Sequence, residues 1–275
     1  FEHVVYIIKE NRTYDQVFGD LPQGNADPAL CVFGREVTPN HHAVAEQFAL
    51  LDNYYCNGVL SADGHAWATE GYVTDYLEKS FGGFTRSYPF AGDDPLSYSA
   101  TGFIWDNLLL HGLSFRNYGE MSTTAVLPKE ADWLAIYENH RTNGNAMAFQ
   151  HDMQIETLRR YSCAQSPGWN MRIPDCIRAD VFLNEFSEYE KKGEWPNLVI
   201  IYLPNDHTSG TRVGSPTPRA QVADNDLAVG RIIERISRSR FWPKTCIFVN
   251  EDDPQAGFDH VDGHRSLCLV VSPYT

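Results

Sequence analysis

Two apolar runs of this chain end in acid, and that placement constrains the fold more than any other feature. Val4-Val5-Tyr6-Ile7-Ile8 leads into Lys9-Glu10-Asn11, and Thr245-Cys246-Ile247-Phe248-Val249 leads through Asn250 into Glu251-Asp252-Asp253. Runs of continuous Val, Ile and Leu read as strands buried on both faces. They recur at roughly 3–9, 113–118, 197–203, 244–250 and 266–272. Between them lie helix-like patterns, from Thr38 to Leu51, Gly64 to Lys79, Arg178 to Lys192 and Thr217 to Arg238. In the last of these, Val222, Leu227, Val229, Ile232, Ile233 and Ile236 share one side. Strands alternating with helices predict an α/β fold whose mostly parallel sheet is flanked by helices on both faces. Residues 80–175 are rich in Gly, Pro, Ser, Asn and aromatics. They read as an irregular cap or insertion within one domain spanning 1–275.

In an open parallel sheet, ligands bind just outside the carboxyl ends of the strands. Oxygen donors following two such ends, about 240 residues apart in sequence, can converge on one divalent cation. Two further polar stretches fit the same edge. Ser61-Ala62-Asp63-Gly64-His65 opens a helical pattern, where free N–H groups favour an anion and metal coordination can activate a serine. Leu203-Pro204-Asn205-Asp206-His207-Thr208-Ser209-Gly210 follows another strand, with Asp206 and His207 as candidates for a second metal or an anionic substrate. After Asp253, the run through Gly257, Phe258, Asp259 and His260 to Asp262 and His264 adds more carboxylate and imidazole donors. Adjacent carboxylates repel unless a cation lies between them.

Composition narrows the partners. The net charge of −14, from 22 basic and 36 acidic residues, disfavours nucleic acid. No apolar run approaches a membrane span. Both ends read as trimmed, so targeting signals are not legible. The six cysteines form no CxxC pair, which disfavours a zinc ribbon. Their even number is compatible with disulfides in an exported protein, so a secreted or periplasmic location is expected. Cys163 and Cys176 flank a Pro/Gly loop and are the best candidate pair, while Cys246 and Cys268 read as buried thiols.

These residues resemble the phosphoesterase family that contains acid phosphatases and bacterial phospholipases C, within the alkaline phosphatase superfamily. Lys9-Glu10-Asn11-Arg12-Thr13-Tyr14-Asp15 with Phe18-Gly19 resembles the family's opening ENRSFD…FG motif. Ser61 to His65 resembles the TFPNH nucleophile stretch of nucleotide pyrophosphatases, and Glu251 to Val261 resembles the phospholipase C stretch DEHGGFxDHV. The resemblance implies hydrolysis of a phosphoric ester through a covalent phosphoserine on Ser61. Glu10, Asn11, Ser61, Asp252 and Asp253 would hold a divalent metal ion (Zn, Mg, Mn or Ca). His207 and His260 would contact phosphate or the leaving group, and His65, Asp206 and His264 would lie on the substrate side. The stretch from Asn205 to Thr211 lacks the histidine of an Asp-x-x-x-His second-metal motif, so one metal is expected rather than two. The substrate would be a small phosphate ester or a phospholipid headgroup. In the second case Phe81 to Phe90 would supply an apolar rim. A phosphate- or metal-binding module without turnover is the rival of another class. A sulfatase is disfavoured by the lack of a Cys/Ser-x-Pro-x-Arg signature.

Overall fold

The computed structural model describes residues 1–80, 88–89, 92–254 and 257–275. Most of the expected rim from Phe81 to Phe90 lies outside the described residues, as do Gln255 and Ala256. In chain order the strands are β1 (His3–Lys9), β2 (Ala49–Leu50), β3 (Tyr54–Tyr55), β4 (Phe115–Tyr118), β5 (Thr123–Leu127), β6 (Ala148–Asp152), β7 (Leu198–Leu203), β8 (Thr245–Glu251), β9 (Arg265–Ser266) and β10 (Cys268–Val271). The α-helices are α1 (Tyr14–Phe18), α2 (Pro39–Gln47), α3 (Ser61–Glu70), α4 (Asp75–Ser80), α5 (Ile104–Leu110), α6 (Trp133–Arg141), α7 (Glu156–Arg160), α8 (Asp175–Lys192) and α9 (Pro218–Ser237).

The main sheet runs β2-β10-β8-β1-β7-β4. β8, β1, β7 and β4 are parallel, while β10 and β2 add an antiparallel edge. The aliphatic runs explain its centre, for every residue of β7 is buried. Successive side chains of a strand point to opposite faces. Val5 and Ile7 of β1 accordingly pack with Phe182 and Phe186 of α8 and Val229, Ile232 and Ile236 of α9. Ile8, with Val4 and Tyr6, packs with Trp105 of α5, Leu158 of α7 and Ala68 of α3. Helices therefore cover both faces, as the patterning predicts.

The helix from Gly64 to Lys79 and the cysteine pairing differ from the sequence reading. The single helix expected from Gly64 to Lys79 is two helices. It begins earlier because both oxygens of Asp63 reach back to the N–H groups of Val59 and Leu60 at 3.0 and 2.9 Å. It breaks at Gly71, whose φ of +64° suits glycine and closes α3 with a bond to the Trp67 carbonyl. The stretch 80–175 contributes β4 to the main sheet. It also supplies the separate β5–β6 pair, over a small cluster of Val126, Ala131, Ile136, Ile173 and Ile177. All six cysteines are free thiols, which corrects the expected Cys163–Cys176 pair. The Cys163 thiol meets Gln165, and that of Cys176 meets the Asp224 carbonyl.

Candidate active site

Strand register builds the site. Lys9, last in β1, stands opposite both Glu251 of β8 and Leu203 of β7. Glu10, Asp252 and the Pro204–Asp206 turn therefore leave the sheet side by side. Asp252 N–H donates to the Lys9 carbonyl at 2.9 Å, and Glu10 N–H donates to Asp206 Oδ1 at 3.2 Å. The first turn of α3 drops onto this edge. Gly64 makes that approach possible, because a Cβ there would lie 2.6 Å from the Asp252 carbonyl oxygen.

The result places Ser61 between two of the expected ligands. Its Oγ lies 3.0 Å from Glu10 Oε2 and 3.1 Å from Asp253 Oδ2. One hydroxyl hydrogen reaches only one carboxylate at a time. Asp252 is buried, and neither of its carboxylate oxygens has a hydrogen-bond partner. His65 Nε2 sits 3.0 Å from Glu10 Oε1 and 3.6 Å from Asp252 Oδ2, and its Nδ1 meets Glu120 Oε1 at 2.8 Å. Tyr202 donates its hydroxyl to Glu10 Oε1 at 2.5 Å. Asn11 is buried beside them with φ +135°, a conformation that costs about 1–3 kcal/mol in a non-glycine residue. Its N–H donates to Glu251 Oε2 at 3.1 Å.

Charge balance tests whether a cation fits. Six carboxylates gather here, from Glu10, Glu120, Asp206, Glu251, Asp252 and Asp253, against Lys9, His65 and Arg12. Lys9 Nζ is spent on Asp206 and Glu251, at 2.9 and 2.7 Å. Burial, and then the charges of Asp253 and Glu10, push Asp252 well above the usual carboxylate range. Burial followed by the Asp206 charge pushes Glu251 up to about 8. Burial would likewise raise Glu10, but the hydrogen bond and charge of His65 outweigh it and hold Glu10 low. Burial would lower His65, but the charge of Glu120 and the bonds to Glu10 and Glu120 carry it to about 10. Buried, unpartnered carboxylate oxygen beside a serine hydroxyl is a donor set suited to a hard divalent cation. The residues present fit such an ion.

The other expected residues take different places. Asp206 is buried, its carboxylate paired with Lys9 Nζ and accepting the Glu10 N–H. His207 is half-buried, with Nδ1 on the Thr208 carbonyl at 2.9 Å and its ring edge-on to Trp169. It borders a groove of about 570 Å³ lined also by Arg172 and Arg212. The Arg12 guanidinium holds the His207 carbonyl and that of Asp206. Both ring nitrogens of His260 are engaged elsewhere, by Asp15 at 2.6 Å and Asn25 at 3.0 Å. His264 is exposed and pairs with Asp262. Asp15, Asp259 and His260 form a second acidic group, and Arg265 supplies its cation. Glu120 and Tyr202 were not among the expected residues. Glu120 follows β4 as Glu10 follows β1, so the strand-end rule points to it as well. Tyr202 was hidden inside an apolar run.

The profile of the Phosphoesterase family matches residues 24–266. No curated protein sequence matches the chain. Among solved structures, an alkaline phosphatase superfamily protein from Vibrio parahaemolyticus is similar with a TM-score of 0.56 and 15% identity, over 98% of this chain and 60% of its own. A 2-O GAG sulfatase is similar with a TM-score of 0.55 and 10% identity, over 99% of this chain and 64% of its own. The inactive form of murine ectonucleotide pyrophosphatase/phosphodiesterase 5, in complex with AMP, is similar with a TM-score of 0.51 and 14% identity, over 92% and 57%. The chain thus spans about 60% of the length of the structures it resembles. Their likeness establishes the alkaline phosphatase-like fold expected from the sequence.

Proposed function

The chain belongs to the Phosphoesterase family, and from that premise we propose that it hydrolyses phosphoric esters through a covalent phosphoserine on Ser61. The observation that carries this reading is the Ser61 hydroxyl held between Glu10 and Asp253, beside an Asp252 carboxylate that accepts no hydrogen bond. Glu10, Asn11, Ser61, Asp252 and Asp253 are the proposed ligands of a divalent cation. When bound, that ion would lower the pKa of the serine hydroxyl and neutralise phosphoryl charge.

Phosphoryl transfer depends on positioning and charge neutralisation more than on elaborate proton chemistry. Ser61 sits at the start of α3, where backbone N–H groups and the helix dipole favour the phosphoryl oxygens. Its Oγ gives its proton to one of the two carboxylates it faces and attacks phosphorus in line, and the ester oxygen departs on the opposite side. With Nδ1 on the Thr208 carbonyl, His207 presents Nε2 to protonate that oxygen. The groove beside Trp169 has room for the leaving group. Water then cleaves the phosphoserine and restores the hydroxyl.

The test is a panel of phosphate monoesters and diesters, assayed before and after chelation and metal return, with elemental analysis of the protein. Metal-dependent release and a trapped phosphoserine are expected. Metal binding without turnover on any ester would instead make the chain a binding module. Release from a lipid headgroup in preference to nitrophenyl phosphate would place it with the phospholipases C.

A further inference from the structure

His65 lies one helical turn after Ser61, so both side chains project from the same face of α3. They meet the two oxygens of one carboxylate: Ser61 Oγ takes Glu10 Oε2 and His65 Nε2 takes Glu10 Oε1, each at 3.0 Å. Tyr202 donates to the same Oε1 at 2.5 Å. Each carboxylate oxygen accepts about two hydrogen bonds. Oε1 is therefore saturated by protein donors, while Oε2 is turned toward Ser61.

The imidazole that holds Oε1 is itself fixed. Its Nδ1 is bonded to Glu120 Oε1 at 2.8 Å, and Glu120 is fully buried. The Glu120 peptide is clamped on both sides by Asn117, which accepts its N–H at 3.2 Å and donates to its carbonyl at 3.0 Å. The Tyr202 ring meets the imidazole edge-on at 5.2 Å and 80°.

We infer that Glu120, His65 and Tyr202 are positioning residues that turn Glu10 Oε1 away from the cation and present Oε2 alone. Glu10 is then a monodentate ligand. The inference rests on the metal site proposed above and goes beyond it by assigning the denticity of one ligand to three residues that do not touch the ion. The competing arrangement uses His65 Nε2 itself as a ligand, since it lies within 4.8 Å of carboxylate oxygens of Glu10 and Asp252.

Manganese(II) separates these cases. Its affinity is measured by calorimetry on the wild-type protein and on Tyr202→Phe, Glu120→Gln and Glu120→Ala, and its ligand nitrogens by pulsed electron paramagnetic resonance. Loss of an outer partner of a metal ligand weakens binding about 10–100-fold. Tyr202→Phe is expected near the low end of that range and Glu120→Ala near the high end. Glu120→Gln should recover part of the loss, because its amide oxygen still accepts from Nδ1. The spectrum should show no directly bonded nitrogen. Wild-type affinity in both Tyr202→Phe and Glu120→Ala overturns the inference. So does a directly bonded nitrogen that disappears in His65→Gln. If Glu120→Ala fails to fold, Tyr202→Phe decides the matter, since it removes only a hydroxyl. A wild-type protein that takes up no metal removes the proposed metal site and the inference together, whereas wild-type binding unaltered in the variants removes the inference alone.

Discussion

Substituting Gly64 with alanine tests whether the approach of α3 to β8 sets the site. On an exposed helix this change stabilises by about 1 kcal/mol, because alanine is the better helix former. Here the new Cβ would lie 2.6 Å from the Asp252 carbonyl oxygen and 2.8 Å from its carbonyl carbon. The first distance is about 0.8 Å short of ordinary contact at 3.4 Å. Both obstacles are backbone, so neither yields by rotating a side chain. Overpacking costs about 1–3 kcal/mol, and a backbone obstacle belongs at the upper end. After the gain in helix propensity, a net loss of about 2 kcal/mol remains. At about 2–4 °C per kcal/mol for a chain of this size, Tm should fall by about 4–8 °C. Relieving the clash moves Ser61 away from Asp252 and Asp253 by most of an ångström, and a misplacement of about 1 Å can cost about 100-fold in rate. Thermal melts and kcat on nitrophenyl phosphate give both readouts. Gly263→Ala is the control, since nothing lies within 4 Å of its Cβ. A Gly64→Ala protein with a raised Tm and an unaltered rate would refute the account of how the site is assembled.

Ser61→Ala should abolish turnover, by more than about 1000-fold, while shifting Tm by only a few degrees. Retention of wild-type rate on a phosphate ester ends the nucleophile assignment. Asp252→Asn should raise the Tm of the metal-free protein at neutral pH, because it removes the cost of keeping a buried carboxyl protonated there, and should lower metal content. A lower metal-free Tm counts against the charge balance drawn here. In the metal-free fold, Asp252 and Glu251 hold protons that the unfolded chain releases near 3.8 and 4.5. Metal-free stability should therefore decline as pH rises from those values toward about 8. A cation relieves that decline, so added metal should raise Tm more at about pH 8 than at about pH 5. Equal shifts at both pH values in a melt series would contradict this.

The parallel centre of the sheet was legible because its strands are buried on both faces and so read as unbroken aliphatic runs. The acids past β1 and β8 were legible for the same reason, and register did the rest by setting Lys9 level with Glu251. Side-chain direction was not legible. Glu251, Asp252 and Asp253 look alike in sequence, yet Glu251 turns back to Lys9 while Asp253 reaches Ser61. The pairing of Asp206 with Lys9 was not legible either. A buried lysine cannot be told from an exposed one by its neighbours along the chain. The two-residue strands β2, β3 and β9 are too short to carry a period of two. The His260–Asp15 pair spans 245 positions and is made by tertiary folding alone.

β1 is central in the sheet, yet both of its partners lie far downstream in the chain. His3 pairs with Thr245 and Val4 with Leu198. At translation rates of roughly 5–20 residues per second, β1 waits roughly 12–50 s for β8 to be synthesised. Until Leu203 is made, both hydrogen-bonding edges of β1 lack their native partners, and from then until β8 is made one edge still does. Such long-range pairing slows folding and leaves sticky edges open to neighbouring chains. Expression at reduced temperature or with chaperones should therefore improve the yield of folded protein more than stabilising any surface helix would.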